Sequence, residues 1–154
     1  VPRSEWQRAL DEILLAMVDL CHAAIPHLRN SGSGRILFVT TVGVKIVQPN
    51  MVLSDAIRLA IVGMAKSLSL ELASDGVTVN CLCPGPTNTP AMDAFVGTGE
   101  EGQKIRDAMV RGVPLGRIGE PTDYPGLVAF LASDDASFMT GQTISVSGGL
   151  TMHG

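Results

Sequence analysis

The stretch Gly34-Arg35-Ile36-Leu37-Phe38-Val39-Thr40-Thr41, joined by a loop to a helix-period run from Ser54 to Leu72, decides the fold. The apolar run Ile36-Leu37-Phe38-Val39 follows the turn signal Ser31-Gly32-Ser33-Gly34, so it reads as a strand buried on both faces, as strands of a parallel sheet are. From Ser54 onward Ile57, Ile61, Met64, Leu68 and Leu72 recur at helical spacing, with Ala60 and Ala65 small enough for close neighbours. In open α/β sheets ligands bind outside the carboxyl ends of the strands. That rule points to the hydroxyl pair Thr40-Thr41; Ser54 and Arg58 lie one turn apart on the following helix.

Upstream, Ser4 with Glu5 and Gln7 behind it is a capping-box pattern. It opens a helix through Trp6, Leu10, Leu14, Met17, Val18 and Cys21, with Pro26 near its end. The run Leu14-Leu15-Ala16-Met17-Val18 is apolar on more than one face, which predicts burial between a sheet and another helix. His22 and His27 have no third donor at a metal-ligating spacing and read as surface or capping groups.

Downstream, the turn Asp75-Gly76 precedes a second strand, Val77-Thr78-Val79-Asn80-Cys81-Leu82. It ends in Cys83-Pro84-Gly85-Pro86, where two prolines around a glycine turn the chain away and present Thr87, Asn88 and Thr89 at the sheet's carboxyl edge. Residues 91–112 are less hydrophobic and Gly-rich, helical from about Glu100 to Arg111, and read as a mobile lid or substrate loop. Pro121 suits a helix N1 position, with Tyr124, Leu127, Val128, Phe130 and Leu131 on the helix it opens. Thr143-Ile144-Ser145-Val146 is a third strand, closed by Gly148-Gly149. This order, under the right-handed crossover rule, predicts an α/β fold with a three-stranded parallel sheet and helices on both faces. So small a sheet leaves the edge of its first strand unpaired and apolar, an aggregation hazard unless something covers it.

A chain of 154 residues is one domain's worth, enough to bury roughly 70% of the surface its unfolded state exposes. It is 45% hydrophobic and 17% charged with 17 glycines, which suits a compact α/β domain rather than disorder. A net charge of −4 with scattered Lys and Arg argues against nucleic acid as a partner. Three cysteines without zinc spacing read as reduced, buried thiols in a cytoplasmic protein. No apolar run reaches membrane-span length and no signal peptide is visible. The chain opens on Val1 rather than Met, which points to residues upstream.

The strings Gly34-Arg35-Ile36, Ala65-Lys66-Ser67-Leu68-Ser69-Leu70-Glu71-Leu72, Val77-Thr78-Val79-Asn80, Pro84-Gly85, Gly116-Arg117-Ile118-Gly119-Glu120-Pro121, Phe130-Leu131-Ala132-Ser133, Thr140-Gly141-Gln142-Thr143 and Gly148-Gly149 closely resemble the short-chain dehydrogenase/reductase family. Within it they look most like the 3-oxoacyl-carrier-protein reductase branch. The likeness runs over nearly the whole chain and covers the C-terminal portion of such an enzyme. It implies a Rossmann-type doubly wound sheet, NAD or NADP as cofactor, and a small-molecule carbonyl or alcohol substrate. It also implies a homodimer or homotetramer assembled through helices 4–29 and 54–74.

The family's N-terminal Gly-rich strand-turn-helix, which seats the pyrophosphate, has no counterpart here. Gly97-Thr98-Gly99-Glu100-Glu101-Gly102 matches G-x-G-x-x-G, but no good strand precedes it and two glutamates would face the phosphates. Gln103, where a lysine is required, rules out a Walker A loop.

The resemblance also implies a tyrosine acid, a lysine beside it, a serine that orients the carbonyl and an asparagine on the first helix. Registered on Gly63 and Lys66, these positions hold Ser54, Arg58, Thr41 and Ile13. Thr41 retains a hydroxyl donor, and Arg58 retains a positive charge that can hold a ribose hydroxyl. Ser54 is too weak an acid to replace a tuned phenol, and Asp55 beside it does not face it on a helix. Pro84-Gly85, Thr87 and Thr89 match the second cofactor-contact segment, although Pro84-Gly85 also reads simply as the turn leaving a strand. Two functions remain open, a reductase with a divergent active site and a catalytically silent member serving as an oligomerisation or binding module; a third reading, a fragment with no activity of its own, is compatible with either.

Overall fold

A computed structural model describes residues 1–152. Arg35–Val39 (β1), Thr78–Pro84 (β2) and Thr143–Val146 (β3) form one parallel sheet in the order β1-β2-β3. Arg35 stands opposite Thr78 and Val39 opposite Leu82 in one pairing, Cys81 opposite Thr143 and Pro84 opposite Val146 in the other. The central position of β2 follows from its composition. Val79 and Cys81 enter the main core with Phe38, Cys21, Ile61, Val62, Ala65, Leu72 and Val77. Asn80 between them is buried with both ends of its amide bonded, its NH2 donating to the Met139 carbonyl at 2.8 Å and its oxygen accepting from the Gln142 N–H at 3.0 Å. That side chain sets the entry of β3, a role the apolar pattern does not announce.

β1 is less buried than its sequence predicts. Phe38 is buried but Val39 is 62% exposed, because β1 pairs with β2 alone and its other edge carries no partner among the described residues.

Arg3–Ala9 (α1) continues through a π-helical turn, Leu10–Leu15, into Ala16–Ser31 (α2), which ends on Gly32 in the left-handed conformation. The capping box expected at Ser4 does not form. Pro2 holds the N-cap in extended geometry, its carbonyl accepts from the Glu5 and Trp6 N–H groups, and Ser4 lies inside the helix. Nor is the helix buried on two sides, since Leu15 and Leu20 are exposed and α2 buries Cys21 alone.

Val52–Glu71 (α3) begins two residues before Ser54, after Asn50 turns the chain at φ 62°. Of its stripe, Ile57, Ile61 and Leu72 are buried and Met64 and Leu68 half-buried against the core; Ala65 is buried as well, whereas Ala60 faces solvent.

Residues 91–112 carry the helix expected from about Glu100 to Arg111, and a second, shorter helix precedes it. Pro90–Val96 (α4) meets Gly99–Gly112 (α5) at a corner where Gly97 and Gly99 take φ of 80° and 78°. A Cβ on Gly102 would lie 2.2 Å from the Gly97 carbonyl oxygen. The G-x-G-x-x-G match is therefore a helix-corner packing pattern, and it follows a helix, not a strand. Pro121 opens a short 3-10 turn, Pro121–Asp123, rather than the helix itself. Pro125–Ala132 (α6) follows and packs against β1, which leaves Tyr124 at the junction. No helix is long and apolar enough among the described residues to cross a membrane.

All three cysteines are buried, and burial pushes the Cys81 thiol up to about 12 and the Cys21 and Cys83 thiols up as well. A disulfide reagent at pH 8 is expected to leave the native protein unlabelled and to titrate three thiols after unfolding. Fast labelling of more than one thiol in the native state would contradict this packing.

Candidate active site

Thr41, Ser54, Arg58, Pro84, Gly85, Thr87 and Thr89, spread over 49 positions of sequence, line one cleft of about 300 Å³ at the carboxyl ends of β1 and β2. Three local structures bring them together. The first is the chain leaving β1. Thr40 is spent on structure, its N–H and hydroxyl both reaching the Leu82 carbonyl, at 2.8 and 3.1 Å. Thr41 is extended, and its Oγ1 accepts from the Gly43 N–H at 3.3 Å to start the turn Val42–Val44.

The second is the first turn of α3. Arg58 Nη1 donates to Ser54 Oγ at 2.9 Å, so Ser54 keeps its own hydrogen to donate. Arg58 is the one charged side chain among the described residues lining the cleft. Asp55 turns away beneath the loop from β1, where a Cβ on Gly43 would meet its Oδ1 at 2.0 Å. Burial raises its pKa against the opposing pull of the Gln48 backbone and Arg58, and its Oδ1 has no hydrogen-bond partner. It takes no part in lining the cleft.

The third is the segment leaving β2. Gly85 N–H donates to the Val146 carbonyl at 2.9 Å, and the backbone of Ser147 passes so close that a Cβ on Gly85 would lie 2.8 Å from Ser147 Cα. Thr87 forms a parallel bridge with Gly119, flanked by Asn88 N–H to the Gly119 carbonyl at 2.8 Å and Gly119 N–H to the Pro86 carbonyl at 2.9 Å. Thr89 caps α4, its Oγ1 accepting from the Met92 N–H at 3.3 Å ahead of Pro90. Met92, Phe95 and Met109 of α4 and α5 complete the wall.

Ile13, at the asparagine position of the family pattern, lies in the π-helical turn and packs against the core. Such turns frequently mark functional sites, but this one offers no polar side chain at that position. Tyr124 does not line this cleft and stands apart from Ser54, but its hydroxyl lies 2.5 Å from Thr87 Oγ1, a contact the sequence reading does not foresee. Its being the only tyrosine in the chain is the one signal that singled it out.

The turn that carries Tyr124 is held by Arg117, whose guanidinium grips Asp123 at 2.7 and 2.8 Å while Asp123 Oδ2 also accepts from the Glu120 N–H. The Arg117 hydrogen bonds, then that N–H, lower the Asp123 carboxyl from its ordinary 3.8 to about 2. A depressed carboxylate stabilises the folded state above its unfolded pKa and loses that contribution as pH falls through its folded one. Asp123→Asn should therefore lower the melting temperature at neutral pH, and the gap between the two proteins should narrow from about pH 3.8 towards 2. A gap unchanged between pH 6 and pH 2.5 would contradict the pairing.

A family model described as enoyl-(acyl carrier protein) reductase matches residues 1–151. The 3-oxoacyl-(acyl-carrier-protein) reductase FabG of Staphylococcus aureus is 34% identical over 148 residues, which are 96% of this chain and 58% of that protein. The chain thus spans a little over half the length of that relative. Among solved structures, YwfH, an NADPH-dependent reductase involved in bacilysin biosynthesis, superposes with a TM-score of 0.91 at 29% identity, over 99% of this chain and 61% of its own. A 3-oxoacyl-(acyl-carrier-protein) reductase from Brucella melitensis with bound NAD does so with a TM-score of 0.82 at 29% identity, over 99% and 54%. Sequence and three-dimensional likeness both cover nearly the whole of this chain. This chain belongs to the short-chain dehydrogenase/reductase family and is like its 3-oxoacyl-(acyl-carrier-protein) reductases.

Proposed function

We propose that the protein acts as an NAD- or NADP-dependent oxidoreductase, interconverting small-molecule carbonyl and alcohol groups in the cytoplasm with an altered means of proton delivery. The observation that carries this reading is the convergence of Thr41, Ser54, Arg58 and the 84–89 segment on one cleft at the strand ends. Two solved relatives support the cofactor class by their descriptions, one NADPH-dependent and one with bound NAD.

The residues present fit the nicotinamide end of such a cofactor. The cleft holds hydroxyl donors and one cation with no carboxylate, and the Thr87 N–H finds no acceptor among the described residues. Arg58 would hold a ribose hydroxyl, and the backbone of Pro84, Gly85 and Thr87 would receive the carboxamide. Thr89 keeps its hydroxyl near the phosphate side while capping α4.

A bound nicotinamide would supply or accept the hydride, and the balancing proton would be exchanged with solvent water. Thr41 donates a hydrogen bond to the substrate oxygen, and Ser54, with Arg58 behind it, donates a second. Both steady a developing alkoxide. Neither Ser54 nor the permanently charged Arg58 is a fit proton source, so turnover at this cleft is slow relative to relatives with a phenol there. Residues 91–112, whose Met92, Phe95 and Met109 border the cleft, serve as the lid over the substrate.

Titration of NADH and NADPH into the full-length protein, followed by nicotinamide fluorescence, is expected to give saturable binding of one or both. A flat titration sinks the reading. One observation favours a second reading, a silent module working through assembly: Leu20, Leu59 and Leu70 are exposed on the helices expected to pair copies. A stable dimer or tetramer that binds neither dinucleotide would select it.

A further inference from the structure

We infer that Tyr124 is a positioning residue for the cofactor-contact segment, acting through Thr87; this rests on the oxidoreductase reading above. Thr87 Oγ1 has one hydrogen, and it is given to the Gly85 carbonyl at 2.9 Å. The 2.5 Å contact with Tyr124 therefore runs from the phenol to Thr87, whose hydroxyl is committed on both sides. The side chain of this cleft-lining residue is thus fixed from behind, while its N–H has no acceptor among the described residues. An N–H held in place with its hydrogen-bonding capacity unspent is a preorganised donor for a carbonyl such as a carboxamide.

The phenol has a seat built for it. A Cβ on Gly119 would come within 3.1 Å of the Tyr124 hydroxyl, so glycine at that position makes the room. The same Gly119 bridges Thr87 through the backbone, and Arg117 with Asp123 holds the turn on which both stand. The cleft residue is gripped by side chain and main chain from one turn.

The assignment is to orientation, not proton transfer, because the Thr87 hydrogen points to Gly85 and none is left for the substrate. That distinction gives the test in the full-length protein. Tyr124→Phe removes only the hydroxyl, and is expected to weaken NADH or NADPH binding, read by nicotinamide fluorescence, about 2- to 12-fold, the loss of one hydrogen bond's worth of positioning. The same change made on Thr87→Val should add nothing further, whereas on Thr87→Ser the sensitivity to Tyr124→Phe should return. The pH profile of turnover should keep its shape, and the Thr87 amide should exchange its hydrogen faster in Tyr124→Phe.

If the wild-type protein binds dinucleotide and Tyr124→Phe binds it equally well, the positioning role is wrong and the oxidoreductase reading stands. An additive loss in the Thr87→Val background, or a shifted pH profile, also overturns it. If the wild-type protein binds neither dinucleotide, the oxidoreductase reading fails and this inference with it.

Discussion

Replacing Ser54 by Tyr together with Arg58 by Lys should raise ketone reduction by the full-length protein about a hundred- to ten-thousand-fold, the usual worth of a positioned general acid. The two side chains already share one turn of α3 and one wall of the cleft, with Arg58 Nη1 on Ser54 Oγ at 2.9 Å. A phenol at position 54 ionises several units below a serine hydroxyl and can give its proton to the alkoxide. A lysine at 58 supplies a compact ammonium that favours the phenolate form. Ser54→Tyr alone should gain less, since the planar Arg58 fork is shaped for bidentate partners. An unchanged rate in a double variant that folds and binds dinucleotide would mean that position 54 is not where the proton enters.

Gly85→Ala should empty the cleft of dinucleotide and weaken the fold. The added methyl would stand 2.8 Å from Ser147 Cα and 3.1 Å from Ser147 Cβ, and a backbone atom cannot swing aside as a flexible side chain can. The carboxyl ends of β2 and β3, joined there by Gly85 N–H to the Val146 carbonyl, must spread. Overpacking of this kind costs about 1–3 kcal/mol, or a fall in melting temperature of about 3–10 °C for a chain of this size. Gly63→Ala supplies the opposite sign. A Cβ on Gly63 meets nothing within 4 Å in the middle of α3, so alanine there should stabilise by about 0.5–1 kcal/mol. Equal melting temperatures for Gly85→Ala and the parent would contradict the close strand-end packing.

Much of this arrangement is legible in the residues because its causes are local or periodic. The stripe Ile57, Ile61, Met64, Leu68 and Leu72 specifies α3, and the β-branched run from Val77 specifies the strand it covers. Thr41 and Thr87 are legible because strand ends meet at a sheet's carboxyl edge, whereas Ser54 and Arg58, which share their cleft, stand out in the sequence through the family resemblance. What escapes the sequence are interactions between distant segments and effects of neighbours. Tyr124 reaches Thr87 across 37 positions, and only the turn held by Arg117 and Asp123 directs it there. Pro2 displaces Ser4 from the cap by a fixed backbone angle, and the edge position of β1 leaves Val39 exposed although its own sequence asks for burial. The corner at Gly97 and Gly99 shows the limit of motif reading, since identical glycine spacing serves a helix junction as well as a phosphate loop.

Amide hydrogen exchange of the full-length protein with and without saturating NADPH or NADH tests most directly whether the Thr41–Arg58–Thr87 cleft is the nicotinamide site. Slowed exchange concentrated in residues 40–58 and 84–95, with the Thr87 amide among the most protected, is the expected result. Tight dinucleotide binding that protects other segments and leaves Thr87 and its neighbours unchanged would contradict it.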